Sequence, residues 1–289
     1  MKRVTQGFLL ITMVLLASII WAGDITDTSL DKLMSLSGAN KQLAEIPGML
    51  RMIMEQTRQQ DGIPISDEEF ENLVKFMVDT FQPSEILSAM RMEIRNDLSE
   101  SEAKGLIAWH ESDLGKRITK AENEASTPAG VQNFIREAQS LAADEERMGI
   151  ARRFLTLSNT VDMLLQLQEK TALAVITFFS KINNPDKPVN VEAFKAQISA
   201  QQQQTRGPLE QQLAVFGAYV YKDIDINSLE KYIEFLGLPN TKKFINSGTK
   251  GIFDGFAKCN EKMLKISEDL IEKKRKASKQ IMLPTTLTE

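Results

Sequence analysis

Residues 98–117, LSESEAKGLIAWHESDLGKR, contain two helix starts in twenty positions. Ser99 and Glu102 have capping-box spacing: the serine side chain can accept the free N–H of residue 102, and the glutamate can reach back to the N–H of residue 99. Behind them Ala103, Leu106, Ile107, His110 and Leu114 fall on one stripe at the helical period. Ser112 then offers a second N-cap, and Asp113 places an acid in the turn that follows. The Trp109-His110 pair precedes this joint and can wedge it. A helix, a joint near Ser112 and another helix are therefore predicted.

The same signals continue on both sides. Upstream, Leu33, Leu36, Leu43, Ile46 and Leu50 recur at helical intervals, punctuated by Gly38 and Pro47-Gly48, which predicts a short helix and then a longer one. Gly62 to Pro64 reads as a loop. Ser66-Asp67-Glu68-Glu69 is a further capping box, followed by Phe70, Leu73, Val74, Met77 and Phe81 on one face. Pro83-Ser84 restarts the chain, and Ile86, Leu87, Met90 and Ile94 line the next helix. Downstream, Ala125 to Pro128 is a break, and a long helical segment is expected from about Glu145 to Ile182. Asn183 to Pro188 reads as a loop, and Gln201 to Gln204 as an exposed helix end. No stretch shows the alternation or β-branched enrichment of a sheet. The expectation is an all-α chain packed as a multi-helix bundle.

Bulk properties narrow the function. The chain has 289 residues, 42% hydrophobic and 26% charged, enough apolar material for a sizeable core. Its net charge of −4 argues against nucleic acid, whose binders concentrate positive charge. One cysteine, Cys259, excludes an intramolecular disulfide framework, and one histidine excludes a Cys/His zinc site. No Gly-rich phosphate loop, nucleophile elbow or His-Glu-x-x-His motif is present, and no cofactor is implied.

The N-terminus has the three parts of an export signal: basic Lys2 and Arg3, an apolar run from Phe8 to Trp21, and small Ala22 and Gly23 before Asp24. Cleavage after Ala22 is expected. The uncharged stretch from Val4 to Gly23 is also about long enough to span a bilayer, so a retained anchor in the inner membrane is the alternative. Either outcome places the body outside the cytoplasm, in the periplasm.

Self-similarity divides the body. Leu33 to Ala39 matches Phe154 to Thr160, 121 positions later: a hydrophobic pair, a small hydroxyl residue, Leu, Ser, then Gly or Asn, each at the start of an apolar helix. A second match lies 126 positions apart. It pairs Asp97-Leu98 with Asp223-Ile224, Leu106 to Trp109 with Tyr232 to Phe235, and Lys116 to Ile118 with Lys242 to Phe244. Two tandem helical repeats, 27–124 and 148–250, are expected after the 1–22 leader. An additional C-terminal helix and tail, 253–289, carries Cys259, Met263, Ile266 and Leu270 on a heptad-like seam and then the basic run Lys273 to Lys279. The seam suggests self-association, and the basic run or the N-terminal segment suggests membrane contact.

Residues 98–117, together with the Leu-Ser-Gly-Ala-Asn-Lys-Gln-Leu opening that ends at Leu43, resemble a family of exported bacterial proteins called domain of unknown function 2059. The family motif is a hydroxyl-acidic cap, a Leu-Ile-Ala helix, two aromatics, one residue, then Ser-Pro-x-Gly-Lys. Here His110 replaces the second aromatic and Asp113 the proline. The second half keeps Pro239 but has Leu238 for the serine and Thr241 for the glycine. The resemblance implies an all-helical envelope protein and no particular reaction. It singles out Trp109, His110, Ser112, Gly115, Lys116, Phe235, Pro239 and Lys242 as motif residues with an architectural role.

Catalytic readings are weaker. His110 with Glu111 could form a base and its orienting acid, but adjacent helical residues do not face each other. The acid clusters at Asp67 to Glu71 and Asp144 to Glu146 sit at helix starts, where acids are favoured without a metal. Met-rich stretches at 49–54 and 90–92 could line an adaptable groove but suit ordinary packing better. The leading expectation is a non-catalytic envelope protein that binds or helps assemble another envelope protein. The alternatives are a hydrolase-type enzyme using carboxylates near Glu111 and a membrane-surface protein.

Overall fold

The computed structural model describes residues 23–61, 66–183 and 187–281. The expected leader and the 62–64 loop lie outside them, as do the side chains of the basic run from Lys273 to Lys279. The described chain is all-α. Its helices, in order, are α1 (Asp27–Leu36), α2 (Ala39–Ala44), α3 (Ile46–Asp61), α4 (Asp67–Thr80), α5 (Pro83–Asp97), α6 (Glu100–Glu111) and α7 (Asp113–Ala125). There follow α8 (Pro128–Leu141), α9 (Glu145–Ser158), α10 (Thr160–Asn183), α11 (Val191–Val220), α12 (Ile226–Gly237) and α13 (Pro239–Ile281). The β-structure among the described residues is one isolated bridge, Asp24 to Ser99.

Local chemistry sets most of these boundaries. Both capping boxes form, at Ser66 with Glu69 and at Ser99 with Glu102. Ser112 caps α7 through the Gly115 N–H, and Thr127 and Asp225 cap α8 and α12 in the same way. Pro83 and Pro128 open α5 and α8, where a missing N–H costs nothing.

Several expectations are corrected. The long segment from Glu145 to Ile182 is two helices, because Asn159 adopts the left-handed conformation at φ 51° and ends α9. Asn tolerates this region better than most residues. The Leu33 to Ala39 and Phe154 to Thr160 segments accordingly lie at the ends of α1 and α9, not at helix starts. Gly38, 121 positions before Asn159, holds φ 79°. These two are the described residues with positive φ. Pro47-Gly48 begins α3 instead of interrupting a helix, so the opening segment makes three helices. The glutamine run lies within α11, where the Gln202 side chain donates to the Leu165 carbonyl at 2.7 Å.

Two helix-joint-helix units coincide at the 126-residue offset. Helices α6 and α12 have 12 residues each, their N-caps are Ser99 and Asp225, and their joints are Ser112 (φ −64°, ψ 160°) and Leu238 (φ −66°, ψ 144°). The apolar core does not divide with the chain. Leu30, Leu33, Ile94, Leu106 and Ile118 pack in one cluster with Ile150, Tyr221, Leu229, Ile233 and Leu236. A second cluster joins Phe134, Met148, Leu155, Leu165 and Ala214 across α8 to α11. Helix α13 runs unbroken from Pro239 through the seam residues, with Cys259 and Met263 buried. Cys259 packs with Phe81 and Ile86, and burial pushes its thiol above the usual range.

Helix α13 lies against α5 along a glycine track. A Cβ added at Gly251 would come 2.2 Å from Met90 Cα and 2.7 Å from its N, and one at Gly255 would come 2.5 Å from Ile86 Cα. These are backbone atoms, which yield only if the helices part. Gly251→Ala is expected to cost about 1–3 kcal/mol of stability through overpacking. Gly149→Ala, with nothing within 4 Å of the added methyl, should stabilise by roughly 0.5–1 kcal/mol through helix propensity. Urea unfolding of the two variants measures both signs.

Candidate functional site

Between α7, α9 and the ends of α11 and α12 lies a cavity of about 470 Å³. It begins at the motif joint. Trp109 stacks on Phe235 with centroids 3.8 Å apart and planes 5° from parallel, and on Tyr232 at 5.4 Å. Phe235 stands 126 positions after Trp109, so the matched residues of the two helix-joint-helix units touch each other. His110 meets the edges of Trp109 and Phe235. The Ser112 hydroxyl donates to the Trp109 carbonyl at 2.6 Å and accepts from Gly115 N–H at 3.0 Å. A side chain at Gly115 would meet that carbonyl at 2.2 Å, so the tight joint requires glycine.

The motif residues separate on the structure. His110 and Phe235 line the cavity, and Trp109 supports it from behind. Lys116 and Lys242 are exposed; Lys116 lines a separate hollow with Lys41 and Lys120. Pro239 opens α13 at the surface. Glu111 is not joined to His110: it is exposed and ion-paired with Lys32 at 2.6 Å. The acids that opened α4 also have cationic partners, with Asp67 on Arg58 and Glu71 on Arg51.

The central group of the cavity was not foreseen. Glu122, on α7, accepts hydrogen bonds from the hydroxyls of Tyr221 and Tyr232, both at 2.8 Å and both on Oε1. Its other oxygen, Oε2, has no protein partner among the described residues. Tyr221 follows α11, and its carbonyl and that of Ile224 accept from Arg147 at 2.5 and 2.8 Å, which pins the turn. Tyr232 lies on α12 in contact with Phe154 and Tyr221. Burial raises the Glu122 carboxyl above its ordinary range, and the two tyrosine hydrogen bonds offset this in part. Both tyrosines are pushed well above their ordinary value by burial and by the neighbouring Glu122.

Two more polar groups belong to this site. Thr241 also lines it, is 2% exposed, and has a hydroxyl without a hydrogen-bond partner. It occupies the position that matches Gly115. His110 is buried, with Nδ1 3.4 Å from the Thr119 hydroxyl, and desolvation lowers its pKa to about 4. Glu122 left one sequence signal, an acid on the stripe Ile118, Glu122, Ala125, whose two apolar members are buried. Nothing local pointed to Tyr221, and the internal match that contained Tyr232 and Thr241 gave neither a role in a site.

Comparison of the chain with protein-family models, curated proteins and solved structures finds no match. Among the described residues no group of His, Cys, Asp or Glu could hold a metal ion, and no helix is long and apolar enough to cross a membrane.

Glu122→Ala removes the acceptor of two buried hydroxyls and is expected to cost about 2–4 kcal/mol, while Glu122→Gln keeps a carbonyl acceptor and should cost under about 1. Chemical denaturation at pH 7 distinguishes them. His110 acts through its proton. Its folded pKa of about 4 lies below the unfolded value near 6.5, so the unfolded chain binds more protons between these limits. Its effect is therefore a loss of stability as pH falls through that window, by roughly 3 kcal/mol at the acid end. His110→Phe should remove this part of the acid sensitivity, seen by comparing unfolding midpoints at pH 7 and pH 4.5.

Proposed function

We propose that this chain is an exported, non-catalytic binding protein that holds a small, largely apolar ligand in the cavity around Glu122. The observation that carries the reading is an apolar space of about 470 Å³ whose lining holds one carboxyl, Glu122, and one buried hydroxyl without a partner, Thr241. Small-molecule sites have this size and this make-up: apolar walls and a few placed polar atoms. Leaving the threonine hydroxyl desolvated and unpaired costs free energy, and a ligand that pairs it recovers that cost.

The large apolar side chains described as exposed are Met92, Ile135, Val191 and Leu238, which lie on α5, on α8, at the start of α11 and at the α12–α13 joint. Export rests on the three-part pattern of residues 1–22, and kinship with the domain of unknown function 2059 family on residues 98–117 and the segment ending at Leu43. Descent of the two halves by duplication is part of the proposal. It is supported by the equal lengths of α6 and α12, their matching joints, and the shared positive φ at Gly38 and Asn159.

One experiment tests both parts. The protein is released from the envelope fraction of a bacterium producing it and examined by native mass spectrometry. A chain lacking residues 1–22 and carrying a small adduct that collisional activation removes is expected. Leu213→Trp, which fills the cavity from α11, should be recovered folded and without the adduct. An adduct retained by Leu213→Trp would locate binding elsewhere and sink the cavity reading.

A further inference from the structure

Resting on that reading of the cavity, we infer that its ligand is a lipophilic organic cation, an ammonium group on an aromatic or alkyl body. Six rings line the space: Phe154, Phe216, Tyr221, Tyr232, Phe235 and Phe244. Ring faces carry the negative side of the aromatic quadrupole and attract cations. The acid on the lining is Glu122, and no lysine or arginine is among the lining residues. The carboxyl, the aromatic lining and the lack of a lining lysine or arginine together favour positive charge.

The geometry at the acid agrees. Both tyrosine hydroxyls donate to Oε1, which leaves Oε2 as an acceptor without a protein donor. The Thr241 hydroxyl, 2% exposed and unpartnered, can accept as well as donate on the lining. An ammonium supplies up to three N–H donors, which the carboxyl oxygen and the hydroxyl lone pairs can both accept. An anion would face the carboxyl with no cation to answer it. The lysines that could serve an anion, Lys41, Lys116 and Lys120, line a different hollow, which shares His110 with this one. A neutral apolar ligand would fill the volume and leave Oε2 and the threonine hydroxyl as they are.

Three probes of one shape and different charge test this by isothermal titration calorimetry at pH 7.5: 2-phenylethylamine, 2-phenylethanol and 3-phenylpropanoate. The full mature chain is expected to bind the amine about 10-fold or more tighter than the alcohol, as charge-assisted pairing and ring contact together predict, with no measurable binding of the acid. Glu122→Gln should bring amine and alcohol to within about 2-fold of each other. Because that variant touches the tyrosine pair, Thr241→Val is the second: it should weaken the amine several-fold and leave the alcohol within about 2-fold. Alcohol binding equal to amine binding in the wild-type chain, with both lost in Leu213→Trp, would overturn the cation and leave the cavity reading standing. Binding of all three probes unchanged by Leu213→Trp, or no binding of any, would overturn both.

Discussion

A carboxyl group taken out of water must find its hydrogen bonds inside the protein, and Glu122 finds them on two tyrosines 99 and 110 residues away. That requirement fixes where α7 stands against the α11–α12 turn. The turn is held independently by Arg147, whose guanidinium donates to the Tyr221 and Ile224 carbonyls. With the turn pinned, both hydroxyls meet at one oxygen, and Tyr221 and Tyr232 form part of the cavity wall. The cavity follows from polar geometry: an apolar set of side chains would collapse together, whereas a hydrogen-bonded set stays at its bonding distances.

The rest of the fold supplies rigidity around that point. The Trp109–Phe235 stack joins the ends of α6 and α12, and Ser112 and Gly115 lock the joint behind it. Helix α13 is drawn against α5 by glycines whose missing side chains let the two backbones approach. Ion pairs add little to this. Most of them lie at the surface, as with Lys32–Glu111 and Arg153–Glu230, where solvent screens the attraction. The buried contacts that matter run between distant parts of the chain, so the two helix-joint-helix units share one core.

Distance along the chain decided what the sequence could reveal. Capping boxes at Ser66 and Ser99, the N-cap at Ser112 and the breaks at Pro83 and Pro128 depend on residues three or four positions apart, and each was legible. The helix end at Asn159 was misread because the apolar period continues on both sides of it and only the φ of one residue differs. His110 was correctly read as a packed residue, since it shares a stripe with Leu106 and Ile107. Glu122 was not singled out, because an acid on a helix normally faces solvent, and its true environment is built by residues of α11 and α12. The volume of a cavity has no local signature at all. It is what remains when long-range contacts have set the positions of the walls.

The matched positions show how a binding site could arise from a joint. At the first joint Gly115 carries no side chain, and the backbone closes onto the Trp109 carbonyl. At the second, the equivalent Thr241 places a buried, unpaired hydroxyl beside the cavity. The aromatic positions are both kept as rings: Trp109 and Phe235 stack on one another and keep the two joints in contact. Under the proposed duplication, the aromatic pair is the inherited interface, and the change at the glycine position is where one copy gave up close packing for a polar group. A pair of equal halves would bury equal joints. This chain buries one joint for closure and turns the other toward an open space with a carboxyl in its wall, and that asymmetry is the strongest structural argument that the space is there to be filled.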